Sequence, residues 1–450
     1  MSTAGQRTSK APATRPAGPR SRKVLRDLID HTLWIDTHEH LVPETTRTNG
    51  QPYRFTDAVD GTTTTVPVDW TYLIVDYAIN DLVSSGLSAE SASELLHGSR
   101  TPTEKWDIVA PYFARARNTG FLRAVDVTTE VLFGHCLSTS SVESIDRASR
   151  DIRIAGYYDT LLAQAGIERC QVHTIDAAAD PIAVPYESNL IDLDLSLYPL
   201  VTGCHRRAEQ LANIEVAELT DYLDVIDACF ERDAARAIAV KCLWAYDRRI
   251  AAAAGRASPR AEFRRLRHGL ASEQDRRLVG DYFFLHSLAR AAQFDLPVKI
   301  HVGYLAGNAQ RQLPGLAQQI TDAGVLAQQH PRNRFVLMHM GWPYQEHMLA
   351  LAKHLQNVVV DLCWSWILAP ASTFDFVRRF LTTVPASKLL CFGGDYITIE
   401  TVVGHSELAR RGLEAALASL LADGWLSIEA AVTAAVMLMR GNAEQVFGTR

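Results

Sequence analysis

The chain lacks several features that would place it in other classes of protein. No apolar run approaches the roughly 20 residues that a membrane-spanning helix needs, and the seven cysteines include no Cys-x-x-Cys pair. Their odd number and wide spacing argue against a disulfide framework or a thiolate zinc site. No Gly-x-Gly-x-x-Gly turn follows the first predicted strand, which argues against a dinucleotide-binding fold.

Basic residues are fewer than acidic residues in the chain as a whole. The formal net charge is −6, which argues against nucleic acid and anionic membranes as partners. The first 23 residues are the exception, because they carry Lys and Arg, no acidic residue and no apolar core of a secretory signal. We therefore predict a flexible basic tail over residues 1–23 and a cytoplasmic protein with free thiols.

What the chain does contain is an alternation of short apolar runs and helical segments. We expect residues 24–450 to form one domain, because barrels with insertions reach this size. A mostly helical insertion over residues 44–150 follows the first strand and is a candidate cap or dimer contact. The alternation predicts an α/β fold, a (β/α)8 TIM-type barrel. Its strands are expected at 33–41, 169–175, 197–203, 237–243, 297–303, 334–341, 357–363 and 389–395.

Polar residues stand at the ends of the predicted strands, where the active sites of such barrels lie. His38 and His40 are two residues apart, so on a strand they face the same side. Taken singly, a histidine here can be a core residue, a lysine can reach out to solvent, and an aspartate can cap a helix. Together they form a nitrogen and oxygen donor set suited to zinc or a similar divalent ion. The later strands supply Lys241, His301, His339 and Asp395.

This set of strand-end residues resembles the amidohydrolase superfamily of metal-dependent barrels. The segments 35–40 (Ile-Asp-Thr-His-Glu-His), 337–342 (Leu-Met-His-Met-Gly-Trp) and 392–396 (Phe-Gly-Gly-Asp-Tyr) are similar to its amidohydrolase 2 branch. That branch includes hydrolases, decarboxylases and, more distantly, uronate isomerases. The resemblance covers about residues 33–447 and is specific for superfamily and fold, not for the reaction.

The resemblance implies a role for each of these residues. It implies a metal site of His38, His40, His301 and Asp395, holding zinc or else manganese, with one ion favoured over two. Asp395, His339 and Lys241 are the implied catalytic residues. Lys241 is either a carboxylated bridge between two ions or a residue that meets the substrate.

Substrate contacts are expected in the loops that follow the strands. The candidates are Arg248 and Tyr246, His205 with Arg206, and the tryptophans Trp342, Trp364 and Trp366, which suit a carboxylate and an apolar wall. The resemblance implies a metal-dependent hydrolase that uses metal-activated water on a C–N or C–O bond of a small carboxylate-bearing or aromatic substrate. Decarboxylation and uronate-type isomerisation are the alternatives, and a non-catalytic binding barrel ranks below them. We also expect a homo-oligomer.

Overall fold

The computed structural model describes residues 19–56, 63–150, 152, 154, 156–176, 188–202, 205–249, 257–307, 313 and 315–448. Its strands are β1 (Trp34–Glu39), β2 (Tyr53–Thr56), β3 (Thr63–Val66), β4 (Ile167–Val172), β5 (Ile191–Ser196), β6 (Ala237–Cys242), β7 (Val298–Ile300), β8 (Phe335–Leu337), β9 (Val358–Asp361) and β10 (Leu389–Leu390).

The helices fall between and after these strands. They are α1 (Pro19–His31), α2 (Glu44–Thr48), α3 (Ala78–Ser84), α4 (Ala89–His97), α5 (Pro102–Ala116), α6 (Gly120–Phe133), α7 (Val142–Arg150), α8 (Tyr157–Gln164), α9 (Tyr198–Val201), α10 (His205–Ala212), α11 (Leu219–Asp233), α12 (Arg260–Arg267), α13 (Glu273–Gln293), α14 (Leu316–Gln329), α15 (Gln345–His354), α16 (Ser365–Leu368), α17 (Pro370–Thr383), α18 (Ile399–Ala422), α19 (Ile428–Val436) and α20 (Asn442–Phe447). No helix among the described residues is long and apolar enough to cross a membrane.

Eight parallel strands form the predicted (β/α)8 barrel. They lie in the order β1-β4-β5-β6-β7-β8-β9-β10. Backbone hydrogen bonds from β1 and its end to the segment around β10 bring the two edges together, for example from Thr37 N to Phe392 O (3.1 Å) and from Asp395 N to His38 O (2.8 Å). The barrel is thus nearly closed, and its strands end on one face.

The third barrel strand was predicted in the wrong place. We expected it at 197–203, but β5 spans Ile191–Ser196 and the next residues form α9. The acidic residues of β5 hid it from a search for apolar runs. Asp194 is buried and pairs with Lys299, whereas the partly exposed Asp192 pairs with Arg169, so each carboxylate has a basic partner.

The insertion after β1 is mostly helical, as predicted. It contains α2 to α7 and a two-stranded hairpin of β2 and β3. Helix α5 begins with a capping box in which Thr101 and Glu104 satisfy each other's backbone N–H groups (3.3 and 2.8 Å). The predicted N-terminal tail is partly helical. Helix α1 begins at Pro19, so residues 19–23 of that tail belong to it. Residues 1–18 lie outside the described part of the chain.

The C-terminal helix closes the opposite end of the barrel from the strand ends. Val446 and Phe447 of α20 pack against residues near the starts of the strands, among them Ile35, Val336 and Val359. Above this apolar layer the interior becomes polar. That change along the barrel axis places charged side chains directly beneath the strand ends.

Candidate metal centre

Three side chains at the strand ends bring their donor atoms to one point. The Nε2 atoms of His38 and His40 lie 3.3 Å apart, and each is 3.3 Å from Oδ1 of Asp395. The period of two along β1 aims both imidazoles into the barrel, and the bond from Asp395 N to His38 O fixes the aspartate beside them. The three residues thus form a triangle with equal edges.

The oxygen atoms behind the two rings determine which nitrogen of each histidine faces Asp395. Nδ1 of His40 is 2.8 Å from the His173 carbonyl, and Nδ1 of His38 is 3.6 Å from Oδ2 of Asp194. A carbonyl or carboxylate only accepts, so a neutral ring facing it carries its proton on Nδ1 and keeps the Nε2 lone pair. His38 and His40 therefore turn their Nε2 lone pairs toward Asp395.

His301 and His339 follow β7 and β8 and lie together, with ring centroids 4.2 Å apart. His339 donates from Nδ1 to the Cys363 carbonyl (3.1 Å), and its Nε2 has no hydrogen-bond partner. His301 does the reverse, since its Nε2 lies 2.9 Å from the Tyr304 carbonyl. The two rings thus present opposite nitrogens to the barrel mouth.

Two donors at the site were not predicted from the sequence. His173 directly follows β4, is fully buried, and forms a possible metal-binding group with His38 and His40. Cys363, after β9, forms another such group with His339 and Asp395. Strand β4, which ends just before His173, contains Glu168, Arg169 and Gln171, so it lacks the apolar run that precedes His339. The signal for His173 in the sequence is its place near the end of the strand predicted at 169–175.

Lys241 ends β6 and touches the triangle. Its Nζ is 3.2 Å from Nε2 of His38, and burial lowers its pKa from the ordinary range of lysine. Burial works against the ionisation of Asp395, but the contact with His40 and the nearby His339 and Lys241 outweigh it and hold the Asp395 pKa below its usual range. The aspartate is therefore a carboxylate at neutral pH.

Burial also keeps His38 and His339 neutral. It lowers the pKa of His339 to about 4, and with Lys241 and His40 nearby it holds the pKa of His38 well below the ordinary value. Neutral imidazole is the form that binds metal ions. The site therefore offers lone pairs and one negative charge at physiological pH.

A buried ion pair supports the triangle from below. Lys299 of β7 contacts both oxygens of Asp194 at 2.8 and 2.9 Å and donates to the Thr37 carbonyl at 2.7 Å. Asp194 in turn faces Nδ1 of His38. A carboxylate behind a histidine fixes the tautomer and orientation of the ring, as is common around metal ligands.

Four residues at the strand ends adopt left-handed backbone conformations. They are His339, Met340, Trp364 and Asp395, with φ values of 61°, 50°, 70° and 65°. Such conformations cost free energy in residues with side chains and concentrate at functional sites. The turn before Asp395 also needs glycine, because a Cβ on Gly394 would lie 1.8 Å from Oε1 of Glu39.

The insertion reaches this site through Tyr77. Its hydroxyl donates to the Asp395 backbone carbonyl, and its ring stacks on Trp364 with centroids 4.7 Å apart. Phe121 also stacks on Trp364, with ring centroids 5.9 Å apart. The side chain of Trp364 also meets His339 edge-on at 5.5 Å. An aromatic wall thus stands beside His339.

The predicted substrate residues occupy different surroundings. Tyr246 packs on His301 with centroids 4.5 Å apart, whereas Arg248 pairs with Asp281 at 2.6 Å and lies over Trp244. Trp342 is partly buried against Tyr304. Trp366 bonds to the Cys391 carbonyl at 2.8 Å and is buried away from solvent. His205 begins α10, and its side chain and that of Arg206 lie outside the described part of the structure.

The donor triangle fits a divalent metal ion. In a tetrahedral zinc site with bonds of about 2.0–2.1 Å, two ligand atoms lie roughly 3.3 Å apart, and the three edges measured here are 3.3 Å. The orphaned Nε2 of His339 and both ring nitrogens of His173 are further buried polar atoms that need a partner. Nitrogen donors with one carboxylate suit zinc and similar ions.

Comparisons with known proteins agree with this fold. The sequence profile of the amidohydrolase family matches residues 169–449, which is more than half of the chain. No protein of curated function matches the sequence. The structure is similar to glucuronate isomerase from Caulobacter crescentus, with 16% identity, a TM-score of 0.72 and 97% of each chain covered.

Two further solved structures are similar over nearly their whole length. Uronate isomerase from Thermotoga maritima shares 14% identity, with a TM-score of 0.71 and coverage of 96% of this chain and 98% of the other. Uronate isomerase from Bacillus halodurans shares 15% identity, with a TM-score of 0.67 and coverage of 95% and 96%. At these identities the likeness is one of fold.

Proposed function

Because the chain belongs to the amidohydrolase family, whose members are metal-dependent enzymes, we propose that it is a metal-dependent hydrolase of a C–N or C–O bond in a small substrate. The observation that carries the proposal is the triangle of His38, His40 and Asp395, with edges of 3.3 Å. It joins two imidazoles to a buried carboxylate at the strand ends, where barrel enzymes bind their substrates.

We assign the metal to these three residues, with His301 as the further ligand that the family resemblance implies. One zinc ion is the proposed cofactor, with manganese as the alternative. When bound there, a divalent ion would lower the pKa of a coordinated water to about 7 and so would supply a nucleophile at neutral pH. The residues around it must then hold the substrate and move protons.

Asp395 is the proposed proton carrier. Its pKa is held below the ordinary range, so it accepts a proton only transiently and can pass it to a leaving group. His339 is assigned to acid–base work, since its Nδ1 donates to the Cys363 carbonyl and its buried Nε2, which has no partner among the described residues, is a lone pair that can accept a proton. Lys241, at 3.2 Å from His38, is assigned to the substrate rather than to a second metal ion.

The aromatic wall supports a substrate with a flat or apolar part. Trp364 is the central residue, and Trp342 and Tyr304 extend the wall, with Tyr304 and Trp364 centroids 6.0 Å apart. A substrate carboxylate remains assigned to Tyr246, Arg248 and His205. For Arg248 this role requires that the side chain moves away from Asp281, with which it forms an ion pair at 2.6 Å.

Isomerisation of a uronate is the second candidate, and one observation favours it. The likeness to uronate isomerases covers 95–97% of this chain and so includes the insertion, which precedes the part matched by the family profile. In an isomerase, the same carboxylate would move a proton between neighbouring carbons instead of activating water. Decarboxylation has no comparable support.

One experiment separates the two reactions. The zinc- and manganese-loaded protein is incubated with small carboxylate-bearing amides, esters and lactones in ¹⁸O-water, and with glucuronate and galacturonate in deuterated water. Hydrolysis places one solvent oxygen in the product. Isomerisation adds no atom to the substrate and instead exchanges a carbon-bound hydrogen for solvent deuterium. Loss of either signal in His38→Ala links it to this site. No turnover of either panel, with metal bound, would contradict the proposal.

Two expectations about the protein as a whole stay predictions. A cytoplasmic location is supported by the cysteines, because all six described ones are free thiols. The homo-oligomer is supported only by analogy with the many enzymes that assemble symmetrically. Light scattering of the purified protein measures the oligomeric state directly.

A further inference from the structure

His173 lies where two barrel strands hold it rigidly against the donor triangle. Its backbone N–H donates to the Glu39 carbonyl (2.8 Å), and its own carbonyl accepts from Nδ1 of His40 (2.8 Å). These bonds tie the end of β4 to the end of β1 on both sides of the residue. The backbone position of His173 is therefore set by the same contacts that orient His40.

The ring of His173 points into the site. Its centroid is 5.9 Å from that of His38 and 5.4 Å from that of His40, and donor atoms of the three rings lie within 4.8 Å of one another. The side chain is fully buried, with an exposed fraction of 0%. A third imidazole thus stands beside the two histidines of β1.

Among the described residues, neither ring nitrogen of His173 has a hydrogen-bond partner. A buried imidazole without any partner is costly, because both polar atoms lose water and gain nothing in return. His40 and His339 differ in this respect, since each donates from Nδ1 to a backbone carbonyl, whereas Nδ1 of His38 only faces Oδ2 of Asp194 at 3.6 Å. Both nitrogens of His173 are therefore available for a ligand.

We propose that His173 is a nitrogen ligand of the ion held by His38, His40 and Asp395. This deepens the function proposed above and rests on it. It adds an imidazole from the end of β4 to the donors at the ends of β1 and β10. His301, the further ligand that the family resemblance implies, has its Nε2 bonded to the Tyr304 carbonyl at 2.9 Å and so offers only Nδ1.

The test replaces His173 by Asn and follows metal binding without any substrate. Zinc affinity is measured by competition with a chelator, and the cobalt form is measured by its visible d–d spectrum. We expect a loss of affinity greater than about 100-fold, which exceeds the roughly 10–100-fold that removal of an outer hydrogen-bonding partner causes. We also expect the cobalt bands to shift, because the ligand field loses one imidazole.

The matched control is His405→Asn. His405 is also fully buried, but it packs between the rings of Phe392 and Tyr396. We expect the control to keep the wild-type cobalt spectrum. An equal loss in both variants, or unchanged cobalt bands in His173→Asn, would overturn the ligand assignment.

Two further measurements keep the outcome decisive. If His173→Asn does not fold, His173→Gln repeats the test, and the zinc-bound wild-type structure gives the distance from zinc to the nearest His173 nitrogen. About 2.0–2.1 Å supports the proposal and more than about 3 Å refutes it. A wild-type protein that binds no metal would contradict the proposed function itself, whereas metal binding that ignores His173 contradicts only this inference.

Discussion

The two sides of the barrel mouth use histidine differently. On the side of β1, Nδ1 of His40 is bonded to the His173 carbonyl, Nδ1 of His38 faces Asp194 at 3.6 Å, and both rings direct Nε2 to a shared carboxylate oxygen. On the side of β7 and β8, His301 is held at Nε2 and His339 at Nδ1, and the two rings pack against each other. The oxygen that each ring bonds thus decides which nitrogen is free, and residue type alone does not.

The largest loss of turnover is expected from removal of the carboxylate that the β1 histidines share. Asp395→Asn keeps the shape of the side chain but loses the charge and the ability to accept a proton. We expect turnover to fall by about 100- to 10,000-fold, the range of general acid–base catalysis, while the fold persists. Kinetics on the substrate found in the panel, with circular dichroism as the folding control, measure this. A folded Asp395→Asn enzyme with full activity would remove the proposed proton carrier.

The support beneath His38 is the next most sensitive point. Asp194→Asn leaves Lys299 buried without its carboxylate partner, and breaking a buried pair in this way costs about 3–5 kcal/mol of unfolding free energy. Loss of the carboxylate behind His38 should also weaken metal binding by about 10- to 100-fold. Urea denaturation and zinc competition measure the two effects.

The neighbouring strand position provides the control for that substitution. Asp192 is also in β5 and pairs with Arg169, but both side chains are partly exposed. Asp192→Asn should therefore cost about 1 kcal/mol or less and leave zinc affinity unchanged. If the two variants behave alike, the buried pair has no special role in orienting His38.

The smallest effect is expected from the insertion's contact with the site. Tyr77→Phe removes the hydroxyl that bonds to the Asp395 carbonyl, and a neutral hydrogen bond contributes about 0.5–1.5 kcal/mol. We expect turnover to fall by roughly two- to tenfold while metal affinity is kept, since the carboxylate stays in place. Tyr158→Phe, which removes a similar bond to the Val42 carbonyl (2.6 Å), is the control and should leave turnover unchanged. Equal turnover in Tyr77→Phe and the wild type would show that the insertion does not position Asp395.

The barrel and the donor residues at its strand ends could be predicted from a short-range pattern in the sequence. Apolar runs that end in a polar residue placed His38, His40, Lys241 and Asp395 at the strand ends, and they meet there. The pattern failed at β5, because buried acids that are satisfied by partners from distant strands look like surface residues in the sequence. Partners so far apart along the chain are not visible without the fold.

The same limit applies to the finer chemistry of the site. The free nitrogens of His173 and the Nε2 bond of His301 depend on backbone carbonyls of other loops. Both histidines directly follow short barrel strands, and the local sequence does not show which oxygen each ring faces. The pairing of Arg248 with Asp281 of α13 is likewise a contact between residues distant along the chain.

The most direct test of the account is an anomalous-difference map of zinc-soaked crystals, recorded on both sides of the zinc absorption edge. We predict one strong peak bonded to Nε2 of His38, Nε2 of His40 and Oδ1 of Asp395, with no extra atoms on Nζ of Lys241. A peak elsewhere, no peak at all, or two peaks bridged by a carboxylated Lys241 would contradict a single-metal site at this triangle.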